Sequence, residues 1–144
     1  MLLANIKYKA QQVSFEQAVK IGLGRDQGLF FPQSITPLED IDKILAMPFI
    51  ERSGAIISHL LQGEIDQKDA TAMVDKAFQF PAPLAKVAEG LYNLELFHGP
   101  TLAFKDFGAR FMAQCLSRFS GDEKLTILTA TSGDTGAAVA HAFH

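Results

Sequence analysis

Apolar positions recur at helical spacing through the first half of the chain. Ser14-Phe-Glu-Gln17 has the form of a capping box in front of Phe15, Ala18, Val19 and Leu23, and Gly24 to Gly28 breaks that helix. Thr36-Pro37 predicts a helix start, with Pro37 at the first helical position and Leu38 to Met47 behind it. Pro48 interrupts, Phe49 to Leu61 continues as a second periodic helix, and Asp66 to Phe78 gives a third. Asn5 to Lys9 reads as a short edge strand. Leu29-Phe-Phe-Pro32 is an apolar run with no assigned element, and Phe80-Pro-Ala-Pro83 is a rigid connection.

Past that connection the period changes. Leu91 to Phe97 alternates as a strand. Phe107, Phe111, Met112, Cys115, Leu116 and Phe119 return to helical spacing, with Arg110, Gln114 and Arg118 on the opposite, polar face. Lys124 to Ala130 is a β-branched and aliphatic run that predicts another strand. Thr131-Ser-Gly-Asp-Thr-Gly136 then predicts a turn, and Ala137 to Phe143 a helix. This order implies an α/β class, with a small, mostly helical domain at 1–87 and the start of an open sheet domain at 88–144. Ligands of such sheets bind beyond the carboxyl ends of the strands.

The composition removes several function classes. A net charge of −3 offers no basic face for nucleic acid. No apolar run approaches the roughly 18–20 residues of a membrane helix, and no signal peptide opens the chain. Cys115 is the single cysteine and sits on an apolar stripe, which suits a core position and a reducing cytoplasm. His59 and His141 have no partners at metal spacing, so no metal site is expected. The last residues are still in helical pattern, without a stop signal. The chain therefore reads as an amino-terminal piece of a larger protein.

Lys105 lies between Phe104 and Phe107, where strand spacing gives way to helix spacing. Burial there would disfavour the ammonium and make the amine a candidate for Schiff-base chemistry. A lysine can equally lay its stem on apolar surface and keep its charge in water. Thr131 to Gly136, between strand and helix, has the form of an anion-collecting turn. It lacks the Gly-Lys-Ser/Thr ending of a nucleotide loop and the GxGxxG spacing of a dinucleotide fold. The bland alternative is a tight turn capped by Asp or Thr. Arg110, on the polar face, is expected to be solvated or ion-paired. His98 is a candidate pocket-lining residue, and Glu39 to Asp42 and Glu64 to Asp69 read as solvated helix ends.

The string Thr101-x-Ala103-Phe104-Lys105-Asp106-Phe107-Gly108 resembles the cofactor attachment site of fold-type II pyridoxal-phosphate enzymes, whose fold is tryptophan synthase beta-like. The longer string from His98 to Gly108, with Val13-Ser-Phe-x-x-Ala18 and Gly28-Leu-Phe-Phe-Pro32, is similar to the threonine synthase family. The resemblance implies that Lys105 carries pyridoxal 5'-phosphate as an internal aldimine. It assigns the substrate carboxylate to Thr131, Ser132, Gly133, Asp134 and Thr135, with Asp134 also near the cofactor's ring oxygen. The cradle for the cofactor phosphate would lie further along such a protein.

The implied activity is that of a carbon–oxygen lyase acting on phosphate, with a small amino-acid phosphate as its partner. O-phospho-L-homoserine and water would give L-threonine and phosphate, the last step of threonine biosynthesis. The freed Lys105 amine would take the Cα proton, loss of a Cβ proton would expel phosphate, and water would add at Cβ. The 144 residues alone are expected to be inactive, and the oligomeric state is left open. A catabolic phospho-lyase or a threonine dehydratase would share lysine and loop. The string from His98 to Gly108 and the helical first region favour threonine synthase over the dehydratase, and exclude the phospho-lyase less well. A non-catalytic relative is the remaining alternative, against which Lys105 argues.

Overall fold

Side-chain caps decide where the helices begin. In the computed structural model, which describes residues 1–122 and 124–144, Ser14 and Gln17 close the expected capping box ahead of α1 (Phe15–Ile21). Asp40 accepts the Lys43 N–H and starts α2 (Ile41–Ala46); Asp66 accepts the Asp69 N–H and starts α4 (Gln67–Ala77). Between them α3 (Phe49–Leu60) follows Pro48. The helix expected from Thr36 is therefore shorter than its apolar pattern. Asp40 supplies the cap, and the Thr36 carbonyl is taken by His59 Nε2 at 2.7 Å.

β1 (Leu3–Asn5) is the middle strand of a small antiparallel sheet, between β2 (Gln12–Val13) and β3 (Phe30–Pro32). The strand expected at Asn5–Lys9 thus ends where it was expected to begin. Asn5 is the cause: its buried side chain accepts the Lys7 and Tyr8 N–H groups at 2.8 and 3.2 Å and donates to Gln11 Oε1 and the Arg25 carbonyl. An amide satisfied that way turns the chain instead of extending it. β3 accounts for the apolar run from Leu29, which pairs with β1 in the register Leu3–Pro32 and Asn5–Phe30.

β4 (Leu84–Ala88) and β5 (Leu91–Leu94) form an antiparallel hairpin, within which the division expected at residues 87 and 88 falls. The long α5 (Lys105–Ser120) packs against α1, α4 and α6 (Asp134–Phe143). Cys115 of α5 shares one buried cluster with Leu61, Ile65, Ala70 and Met73. Phe15, Phe111 and Phe119 pack against that cluster, so α5 completes the core of the helices before it. Helices and small sheets together make an α/β unit. No described helix is long and apolar enough to cross a membrane.

The strand expected at 124–130 is not formed. Those residues are exposed and have no ladder partner among the described residues. Aliphatic, β-branched composition favours an extended chain, but a strand exists only through hydrogen bonds to a neighbour. Both described sheets are antiparallel.

Candidate active site at the amino ends of two helices

Glu95 ends the hairpin, its N–H held by the Pro83 carbonyl at 3.0 Å. The chain then turns through Gly99 to Phe104 and enters α5 at Lys105. One residue of that helix organises the turn. The fully buried carboxylate of Asp106 accepts the Thr101 N–H at 2.9 Å and the Thr101 hydroxyl at 2.8 Å. Gly99 is pressed so close to the same carboxylate that a Cβ there would collide with it. A buried carboxyl group needs such partners, and an acid in the first turn also suits the helix dipole. Leu102, between these anchors, holds a left-handed φ of 58° with its side chain in solvent. A non-glycine residue held there shows that the turn is set by its contacts.

Lys105, half-buried, thus stands at the first position of α5 and not on the preceding loop. Its Nζ lies 3.7 Å from the centroid of the Phe104 ring. The expected turn at Thr131 builds the start of α6 in a similar way. The Thr131 hydroxyl accepts the N–H groups of Gly133 and Gly136 at 3.2 and 3.0 Å. Gly133 takes a φ of 147°, open to glycine and strained for other residues. α6 begins at Asp134, so its first N–H groups have no carbonyl of their own helix to reach. Thr131, Ser132, Gly133 and Asp134 are exposed, while Thr135 is half-buried.

The two helix starts meet at one cavity of about 410 Å³. Leu96, Phe104, Phe107 and Val139 give it apolar walls, and Lys105 and Thr135 bring the polar groups. That size and lining suit a small molecule with an aromatic ring. Of the six residues expected at the site, Lys105 and Thr135 line this cavity; Thr131 serves its own loop, and Ser132, Gly133 and Asp134 are not in the wall. His98 is also outside it: its Nε2 pairs with Glu95 Oε2 at 2.7 Å, and its ring lies on Phe97.

Two polar side chains tie together parts of the chain that are distant in sequence. Arg110 is half-buried and makes no ion pair among the described residues: it donates to the carbonyls of Ala77 and Lys76 at 2.6 and 2.9 Å and to Gln79 Oε1 at 3.1 Å. Glu64 is no solvated helix end either. It accepts the Met1 ammonium at 2.7 Å and the Phe15 N–H at 2.9 Å. Its period gave no signal of this, because the partners lie far off in sequence. Asp106 could have been noticed as an acid one place inside a helix start in an otherwise apolar string.

Residues 5–78 match the family described as Threonine synthase N terminus. The chain belongs to this family. It is 63% identical over 144 residues to the threonine synthase of Haemophilus influenzae and 56% identical over 146 residues to that of Escherichia coli. The crystal structure of the Escherichia coli threonine synthase matches all of the chain with a TM-score of 0.95 at 55% identity. A structure of pyridoxal-phosphate-bound threonine synthase from Brucella melitensis matches 99% of it, with a TM-score of 0.85 at 34% identity. The chain spans about a third of the length of these threonine synthases, 34% of the first three and 33% of the last.

Proposed function

We propose that the chain forms part of a threonine synthase, a lyase that uses pyridoxal 5'-phosphate to convert O-phospho-L-homoserine and water to L-threonine and phosphate. The observation that carries this reading is the single cavity lined by Lys105 at the start of α5 and Thr135 at the start of α6. An apolar wall, one amine and an adjoining helix amino terminus fit an aromatic aldehyde and an amino-acid carboxylate.

Pyridoxal phosphate, when bound, supplies an electron sink for negative charge developed at the substrate carbons. Lys105 is the residue that would hold it covalently, and Asp134, at the start of α6 and outside the cavity wall, would be its second contact in this chain. The Lys105 amine, at the start of α5, would be the group that takes the Cα proton. Thr131 keeps the loop closed by accepting the Gly133 and Gly136 N–H groups, while Ser132, Asp134 and Thr135 would offer donors to the substrate carboxylate and fix the direction of the Cα–H bond. Leu96, Phe104, Phe107 and Val139 supply the apolar wall against which the ring and the reacting carbons would lie. A reducing cytoplasm is the setting that suits the single, buried Cys115.

The test uses the full-length enzyme with O-phospho-L-homoserine, following threonine and phosphate together. Equal amounts of both, lost in Lys105→Ala, are the expected result. Phosphate with 2-oxobutanoate and ammonia in place of threonine would make the protein a phospho-lyase instead.

A further inference from the structure

We infer that Arg110 is a positioning residue for Lys105, by which the amino-terminal helices set the aim of the catalytic amine; this rests on the reading of Lys105 above. The last carbonyls of a helix have no partners of their own, and a cation near them also complements the dipole. At the end of α4 the Arg110 guanidinium supplies what is missing, bonding Ala77 and Lys76 through their carbonyls and Gln79 through its side chain. The three acceptors are more than 30 residues away in sequence, so the side chain bridges two separate parts of the fold.

The geometry of α5 gives that bridge its consequence. Arg110 lies about 140° round the helix from Lys105 and about 7.5 Å along it, so the two leave the helix on different faces. Round the helix Phe107 lies about 60° from Arg110 and Phe111 about 100°, so both stand nearer to Arg110 than to Lys105 and not on the opposite face. Phe107 meets Phe78 and Phe80 at 5.3 and 4.7 Å between ring centroids, and Phe111 meets Phe78 at 6.3 Å. Phe78 is the residue that ends α4. One helix end is thus clamped to α5 by a guanidinium and by edge-on and tilted aromatic contacts, and Lys105 projects from the helix so fixed. Aromatic contacts slide at little cost, whereas a planar fork bonded to carbonyls in fixed positions does not. Arg110 therefore sets the rotation of α5, and with it where Nζ stands in the cavity.

The experiment compares the full-length wild type with Arg110→Lys and Arg110→Ala. Its readouts are kcat, KM, unfolding midpoint, and the yield of cofactor fixed to Lys105 by borohydride, read by peptide mass. A misplaced amine should lower kcat by on the order of ten- to a hundredfold with KM little changed, and lower the borohydride yield. Arg110→Lys, which keeps the charge but not the fork, should lie between. If Arg110→Ala does not fold, the comparison of Arg110→Lys with wild type decides. A lower unfolding midpoint with kcat and borohydride yield intact would reduce Arg110 to a structural clamp and overturn the inference. Absence of label at Lys105 in the wild type would overturn it together with the functional reading.

Discussion

Asp106 and Thr101 are joined twice, the buried carboxylate accepting the threonine's N–H at 2.9 Å and its hydroxyl at 2.8 Å. The pair closes the turn immediately before the lysine. Asp106→Ala would leave both donors without a partner in a buried place, at a cost of about 2–4 kcal/mol. Asp106→Asn keeps the shape and one acceptor and should cost about half as much. Unfolding midpoints of the two variants check this. Equal effects would mean that the charge, and not the hydrogen bonds, matters.

Thr131 and Thr135 should separate in kinetics. Thr131→Val takes the acceptor from the Gly133 and Gly136 N–H groups, whereas Thr131→Ser keeps it. In the full-length enzyme the valine variant should raise KM and the serine variant should not. Thr135→Val leaves the loop closed but changes the cavity wall, so its effect should fall on KM or kcat with the cofactor still bound. Wild-type kinetics in Thr135→Val would remove that residue from the site.

The Glu64 carboxyl carries a pH signature. Burial alone would raise it, but the Met1 ammonium and the N–H groups of Phe15 and Glu16 outweigh that and hold it below the ordinary 4.5. A lowered folded value means that Glu64 stabilises the fold above pH 4.5 and loses that effect as pH falls through the folded value. Unfolding midpoints of wild type and Glu64→Gln should differ most at neutral pH and converge on acidification. A gap independent of pH would contradict the assignment.

Cys115 is fully enclosed, and burial pushes its thiol up to about 11. Its thiolate is therefore scarce at neutral pH, and reagents reach it only through opening of the core. Labelling by iodoacetamide should follow the unfolding curve as urea rises. Rapid labelling of the folded protein would place Cys115 outside the core.

Local chemistry made much of the fold legible. The box at Ser14 and Gln17, the Asp66 cap and the span of α3 after Pro48 all follow from groups within a few residues of each other. What was missed depended on distant partners. Lys124 to Ala130 has the composition of a strand but nothing among the described residues to pair with. β3 became a strand because β1 lies beside it, and Asn5 turns the chain through bonds to Gln11 and Arg25. At the site, the motif marked Lys105 and the loop of α6. That Lys105 and Thr135 reach one cavity depends on α5 packing on α6, and the roles of Asp106 and Arg110 are tertiary in the same sense.

On the reading proposed above, Lys105 is the amine that holds the cofactor. Full-length enzyme incubated with pyridoxal 5'-phosphate, reduced with borohydride and digested, reports the attachment point directly by peptide mass. The account predicts a single stoichiometric pyridoxyl label on Lys105, absent from Lys105→Ala. A label on another lysine, with Lys105 unmodified, would contradict it.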